Sequence, residues 1–326
     1  MEREISYAEA IREATDQAMG LSPDVIVLGQ LVDTPSGIFG TTTGLAEKHG
    51  RDRVQDYPVS ENLMTAAALG ASLTGLRPVI CHQRLDFMLY SLDAITNWLA
   101  LWRFKSNGKS SARVTIRAIV GKGWGQGPQH SKSLHSWFAH LPGLRVAMPA
   151  TAFDAKGLLL ESIFSEDPAI IIEGRGLFSM REHVPEAPYR VRFGKALIRQ
   201  KGSDMTLVAI GAMVPPAMRA ADKLRLEGIN VEVVDPRTLS PLDRETILES
   251  VSKTKRLVVA DPGWHSFGAA SEIIATVSES LGRILLSNPV RVTHPDSHTP
   301  MSMTLEKAYY PDEAEISSAI RSAMTE

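Results

Sequence analysis

Short, largely unbroken apolar runs separated by helix-length stretches constrain this chain more than any other feature. Val25-Ile26-Val27-Leu28, Val79-Ile80-Cys81, Val114 to Val120, Leu144 to Ala147 and Ala169 to Ile172 are runs of this kind. A strand with one wet face alternates apolar and polar residues, whereas a strand covered on both faces reads as continuous. The pattern therefore predicts an α/β chain with a mainly parallel sheet between helical layers. An amphipathic helix over Tyr7 to Met19 opens the chain, and Pro23-Asp24 punctuates before the first strand. The stretch Asn62 to Leu76 carries Ala66, Ala67, Ala68, Gly70, Ala71 and Gly75 at helical spacing, and small residues there predict tight packing against a neighbouring helix or strand.

His183-Val184-Pro185-Glu186-Ala187-Pro188 interrupts the rhythm, since two prolines disfavour a continuous helix or strand. A second α/β cycle follows. Met205 to Ile210, Val231 to Val234 and Arg256 to Ala260 are expected strands, Val214 to Glu227 and Asp243 to Ser252 expected helices, and Val290-Arg291-Val292 a last extended run. The expectation is two doubly wound units of unequal size: a first domain over 1–182, a linker over 183–198 and a second domain over 199–326. A length of 326 residues suits two cores.

Charge narrows the function classes. Lys and Arg number 35 against 37 Asp and Glu, so no basic field exists to attract nucleic acid or an anionic membrane. No run approaches the roughly 20 apolar residues of a membrane span. The single Cys81 has no internal disulfide partner, and no charged-then-apolar leader precedes the first helix-like segment, so a reducing cytoplasm is the expected setting.

Two segments carry candidate chemistry. Asp56-Tyr57-Pro58-Val59-Ser60-Glu61-Asn62 runs from a strand end into the small-residue helix. A carboxylate there sits where parallel strands hand over to helices, the usual ligand position in such sheets. The alternative is structural, with Ser60 capping the helix and Glu61 answering its dipole. The second segment, Gly121-Lys122-Gly123-Trp124-Gly125-Gln126-Gly127-Pro128-Gln129-His130-Ser131, follows a predicted strand. Its glycine spacing matches neither phosphate-binding fingerprint, which points to a shaped wall. His130 suits acid–base work near neutrality, or is a hydrogen-bonded loop histidine. His135 and His140 are five apart, and Pro295 separates His294 from His298, so neither pair reads as a helical metal site. Neither H-E-x-x-H nor G-x-S-x-G occurs. Cys81 reads as a small core residue.

Taken in order, Pro58-Val59-Ser60-Glu61, Gly75-Leu76-Arg77-Pro78, Gln129-His130-Ser131, Trp137-Phe138-Ala139-His140, Pro142-Gly143-Leu144-Arg145-Val146 and Asp154-Ala155-Lys156-Gly157-Leu158-Leu159 resemble one family. It is that of the beta subunits of the thiamine diphosphate-dependent decarboxylating component of 2-oxo acid dehydrogenases. Asp235-Pro236-Arg237-Thr238-Leu239-Ser240-Pro241-Leu242-Asp243, Thr299-Pro300 and Leu305-Glu306 resemble its C-terminal, transketolase-type domain. The resemblance covers nearly the whole chain. It implies that the first domain binds the pyrimidine of thiamine diphosphate, with Glu61 bonding N1′ of the aminopyrimidine, Phe87 against the ring and His130 facing the substrate. It also implies a pair of beta chains inside an α2β2 assembly. Family members of this kind anchor the diphosphate and Mg2+ through Gly-Asp-Gly, which is absent here, so an alpha-type partner is expected to hold both.

Three departures bear on substrate. Gln30 follows Gly29 where the family usually has glutamate, so a cofactor-side carboxylate becomes a neutral amide. Ala94 follows Asp93 where Asp-Gln is common, and Ala260-Asp261-Pro262 replaces a glutamate-rich strand end. Potassium, bound by some relatives near the segment matching Ser162 to Pro168, lacks its usual ligand types at Ser165 and Asp167. Two other readings stand beside the dehydrogenase: a transketolase-like or acyloin-forming transferase in specialised sugar or metabolite synthesis, and a non-catalytic subunit that keeps the fold.

Overall fold

Ser6 starts the first helix, Tyr7–Leu21, because its hydroxyl accepts the Glu9 N–H at 3.2 Å while the Glu9 carboxylate accepts the Ser6 N–H at 2.7 Å. The computed structural model describes residues 3–123 and 125–325, so Trp124 of the glycine-rich loop lies outside the described residues. Two compact units emerge. One comprises the chain up to Gly121 together with Trp137–Phe193, and the other comprises Lys122–Ser136 with the chain from Gly194 onward.

The first unit contains β1 (Glu4–Ser6), β2 (Val25–Gly29), β3 (Val54–Asp56), β4 (Arg77–His82), β5 (Thr115–Val120), β6 (Arg145–Ala147), β7 (Ala169–Gly174) and β8 (Arg181–His183). β1 and β8 form an antiparallel pair. The others run β6-β7-β5-β4-β2-β3 across one sheet, every neighbouring pair parallel. Right-handed crossovers then dictate which face each helix covers. The connections β3 to β4 and β4 to β5 move the same way along the sheet, so the helices Glu61–Leu73 and Leu85–Met88 share a face. The β2-to-β3 and β6-to-β7 connections run oppositely, which sends Leu45–His49 and Ala152–Ile163 to the other face, where Tyr7–Leu21 packs on Ala152–Ile163. With both faces covered, β2 is buried at all its positions, as its unbroken apolar run requires.

The small-residue helix meets the expectation of close packing on one face only. Met64, Thr65, Ala68, Leu69 and Ser72 face inward. Ala66 and Gly70 are exposed, and among the described residues nothing lies within 4 Å of where a Gly70 Cβ would stand. The small-residue set is thus split: Ala68 is buried on the face that packs on β4, while Ala66 and Gly70 are uncovered in this chain, with Leu63 54% exposed beside them.

Beneath Tyr7–Leu21 lies the charge in the middle of the sheet. Arg117 of β5 donates through Nε to Glu173 Oε1 at 2.6 Å and through Nη2 to Glu173 Oε2 at 3.0 Å, with both residues fully buried. Arg117 Nη1 lies 3.5 Å from the sulfur of Cys81. Cys81 is thus a small core residue on the same face, its thiol pKa raised by burial.

In the second unit, β9 (Leu197–Gln200), β10 (Met205–Ala209), β11 (Val231–Asp235), β13 (Leu257–Trp264) and β14 (Val290–His294) form a sheet in the order β14-β13-β10-β11-β9; β12 (Thr238–Ser240) lies between β11 and β13 in the chain. Only β9 runs antiparallel to its neighbour, with an irregularity at Val233/Val234. Pro215 and Pro216 start the helix Val214–Leu226 in the first turn, where their missing N–H groups cost nothing. Asp243 caps Arg244–Thr254 by accepting the Thr246 N–H at 3.2 Å. No helix among the described residues is long and apolar enough to cross a membrane.

Removing one partner from a buried ion pair strands the other. Glu173→Leu should lower stability in urea unfolding by about 3–5 kcal/mol, while the double variant Arg117→Met, Glu173→Leu should recover most of that loss. Equal destabilisation of single and double variants would contradict a charge-stranding cost.

Candidate functional site

Strand order alone locates a crevice in the first unit. The chain leaves β2 toward one face and β4 toward the other, so their carboxyl ends flank the switch point at which α/β sheets receive ligands. Gln30 follows β2, Gln83 follows β4, and Gln83 Nε2 donates to the Gln30 carbonyl at 3.1 Å. Gly29 makes the turn possible: a Cβ there would stand 2.7 Å from Val32 Cγ1 and 2.8 Å from the Cys81 carbonyl oxygen. Leu31 then adopts φ +60, a left-handed conformation that costs a side-chain-bearing residue free energy, and its N–H is held by the Asp56 carboxylate at the end of β3.

Glu61 is the first residue of its helix and is partly exposed. The capping alternative loses its main feature, because the Ser60 side chain makes no capping hydrogen bond. Among the described residues, no group bonds the Glu61 carboxyl. Val59 and Leu63 beside it are exposed. Phe87, in the short helix after β4, is 37% exposed.

Among the described residues, two side chains at this edge carry buried nitrogens without a hydrogen-bond partner. The Gln30 side-chain amide nitrogen is buried without one, and so are both ring nitrogens of His82, the last residue of β4. His82 is 2% exposed, and burial lowers its pKa to about 3. Nothing in the sequence pattern separates it from its strand, and only its place at the switch point gives it interest.

His130 lies in the second unit, on the loop Lys122–Ser136. Its Nδ1 lies 3.3 Å from the Gln126 carbonyl, and its N–H donates to the Gly127 carbonyl at 3.4 Å. The glycines serve a purpose the spacing does not reveal. Glu306, 4% exposed, accepts Gly123 N–H on Oε1 at 2.8 Å and Gly125 N–H on Oε2 at 3.0 Å. A carboxylate thus occupies the donors that a phosphate would need, which agrees with the shaped-wall reading.

The far end of the loop is anchored too. His135 Nε2 lies 2.9 Å from Asp261 Oδ1, both fully buried, and His135 Nδ1 lies 3.0 Å from Ser133 Oγ. Burial works to raise the Asp261 pKa, but His135 and the N–H groups of Ala270 and Gly263 outweigh it and hold the carboxyl below its usual range. His294 at the end of β14 packs between Tyr309 and Tyr310, each ring centroid 5.0 Å away, and its pKa is lowered by burial to about 4. Asp235 takes the Arg199 guanidinium at 2.7 Å and the Arg237 backbone N–H at 2.9 Å, a structural turn.

In the first unit, the carbonyls of Ile163 and Ser165 accept Arg77 Nη1 at 3.2 and 3.0 Å, and Asp167 pairs with Arg103 at 2.6 Å. Protein cations therefore already serve the segment matching Ser162 to Pro168, where the sequence raised the question of potassium.

The arrangement gathers Gln30, Gln83, His82 and the starts of the helices bearing Glu61 and Phe87 along one carboxyl edge, and puts His130 in the other unit. Residues 3–180 match the transketolase pyrimidine-binding domain, and residues 194–316 match the transketolase C-terminal domain. The chain is 41% identical to the acetoin:2,6-dichlorophenolindophenol oxidoreductase subunit beta of Cupriavidus necator over 99% of its length and 98% of that protein's. It is 35% identical to the pyruvate dehydrogenase E1 component subunit beta of Bacillus subtilis, covering 98% and 99% of the two chains. A solved structure described as a split-gene transketolase, inactive beta4 tetramer, superposes with a TM-score of 0.79 over 98% of each chain at 25% identity.

Burying His82 neutral makes stability acid-sensitive. The unfolded chain binds the proton below about pH 6.5 and the folded chain only near 3, so stability falls as pH drops through that window. His82→Gln should flatten the stability-versus-pH curve between these limits by up to about 1.4 kcal/mol per pH unit in urea titrations. An unchanged slope would mean that His82 titrates normally.

Proposed function

Because this chain belongs to the transketolase-type family of thiamine diphosphate enzymes that includes pyruvate dehydrogenase E1 component subunit beta, we propose that it is the pyrimidine-binding, beta-type subunit of a carbonyl-compound-cleaving enzyme. The observation that carries this reading is a carboxyl, Glu61, that no described residue bonds, at the carboxyl edge of a parallel sheet that also bears the buried Gln30 amide nitrogen, without a partner among the described residues. An aminopyrimidine asks for such a set: a carboxyl at one ring nitrogen, neutral hydrogen-bonding groups at its polar edge and an aromatic face. Phe87 supplies the face. Thiamine diphosphate, when bound, would supply a carbon acid whose conjugate carbanion can add to a carbonyl and then accept the electron pair of the adjacent carbon–carbon bond as it breaks.

Glu61 would hold a proton at N1′ of the aminopyrimidine. Gln30 bonds without contributing charge, which leaves Glu61 as the acidic group of the set. His130 moves a proton to or from the substrate oxygen, or stabilises charge there. The diphosphate and Mg2+ belong on an alpha-type partner, since this sequence lacks Gly-Asp-Gly and its alternating glycines are taken by Glu306. The uncovered stripe of Leu63, Ala66 and Gly70 supports assembly with further chains, an alpha-type partner and a second beta chain in an α2β2 complex.

Two substrate classes use this apparatus. A 2-oxo acid loses carbon dioxide, and an acyloin is cleaved or, in the transferase direction, formed. The acyloin class is favoured by the relatives named as acetoin oxidoreductase subunits, at 41% and 38% identity.

The test is co-expression with an alpha-type partner, followed by turnover of pyruvate and of acetoin with 2,6-dichlorophenolindophenol as electron acceptor. Glu61→Gln should reduce turnover by about 10²–10⁴-fold. Wild-type rates in that variant would end the proposal. Gly70→Leu should prevent co-purification with the partner or with a second tagged beta chain; unchanged recovery of both would show that the stripe faces solvent.

A further inference from the structure

We propose that Glu306 is a positioning residue: its buried carboxylate clamps the alternating-glycine loop and through it sets His130 for reaction, an inference that rests on the reading of His130 above. Each carboxylate oxygen takes one glycine N–H, from Gly123 at 2.8 Å and from Gly125 at 3.0 Å. Hydrogen bonds to an ionised acceptor are roughly twice as strong as neutral ones, and here both lie at a site with little access to water. Glu306 itself is carried on the helix Met303–Tyr309 and is buried there.

The glycines fit this clamp and little else. Gly123, Gly125 and Gly127 all have positive φ, at +81, +64 and +69. A Cβ on Gly125 would stand 2.6 Å from the Met301 carbonyl oxygen, and one on Gly127 would stand 2.6 Å from Met301 Cγ. The loop therefore lies flush on the segment that precedes the Glu306 helix. A second tie comes from Lys122, whose Nζ stands 4.6 Å from the Tyr310 ring centroid.

The clamp reaches the histidine through one residue. Gly125 is held by Glu306, and the carbonyl of the next residue, Gln126, contacts His130 Nδ1 at 3.3 Å. The far end is fixed by His135 on Asp261. What lies between these anchors is short, so the imidazole inherits its position from the clamp.

Deuterium uptake of the loop peptides of the isolated chain, and kcat/KM of the assembled complex, test this with Glu306→Gln, Glu306→Asp, Gly125→Ala and His130→Ala. In Glu306→Gln an amide NH2 faces one glycine N–H, donor against donor, and uptake over residues 121–134 should rise about tenfold or more while unfolding midpoints stay near wild type. Gly125→Ala should loosen the same peptides by unseating the loop from the other side. Glu306→Asp keeps the charge but is one methylene short, and should fall between Glu306→Gln and wild type. In the complex, Glu306→Gln should lose roughly 10- to 100-fold in kcat/KM, with thiamine diphosphate affinity unchanged.

Unchanged uptake in Glu306→Gln overturns the clamp. A loosened loop with full kcat/KM, while His130→Ala is impaired, overturns the positioning role. Full activity in His130→Ala overturns the reading of His130 and the positioning role with it, and the uptake data then report the clamp separately.

Discussion

A parallel sheet wound outward in both directions from one pair of strands must leave a gap where its connections part, and the first unit is organised around that gap. Strands β2 and β4 end side by side, and their chains leave toward opposite faces. Gly29, Gln30 and Leu31 turn away from one strand while His82 and Gln83 finish the other. The same winding rule starts the Glu61 helix from β3, one strand over. Neighbouring strand ends satisfy part of the backbone there, Gln83 bonding the Gln30 carbonyl and Asp56 the Leu31 N–H, while the Gln30 amide nitrogen and the His82 ring have no partner among the described residues.

The interior tolerates charge only where geometry answers it. Arg117 and Glu173 meet through two parallel hydrogen bonds, and Asp261 gathers a histidine and two backbone N–H groups. Burial acts alone on His82, which stays neutral through the physiological range. The Gln30 amide follows a related logic: a neutral group is cheaper to leave without a partner in a buried place than a carboxylate would be. A ligand that completes its hydrogen bonding relieves that cost.

Glycine serves different ends at different places. At Gly29 it admits a close turn, at Gly70 it keeps a helix face flat, and in the loop from Gly123 to Gly127 it lets backbone N–H groups converge on one carboxylate. An alternating-glycine sequence commonly suggests an anion cradle, and here the anion is a side chain of the protein itself.

The alternation of apolar runs and helices sufficed to derive the α/β class, the parallel sheet, the helix Tyr7–Leu21 and most strands of both units, because covering a strand on both faces leaves a local signature. Glu61 stood out for the same reason, as an acid where a strand hands over to a helix, and the ordered motifs supplied the family. Glu306 was quoted only as part of a motif, since its partners lie more than 180 residues away in the chain. His82 and Gln83 looked like an ordinary strand end until strand order set them at the switch point. The exposure of Ala66 and Gly70 likewise limited an expectation of close packing to the face that bears Ala68, because spacing states which residues share a helix face and not what covers it. Local patterns are written in neighbouring residues, whereas partnership across the chain depends on strand order and register, which only the folded backbone decides.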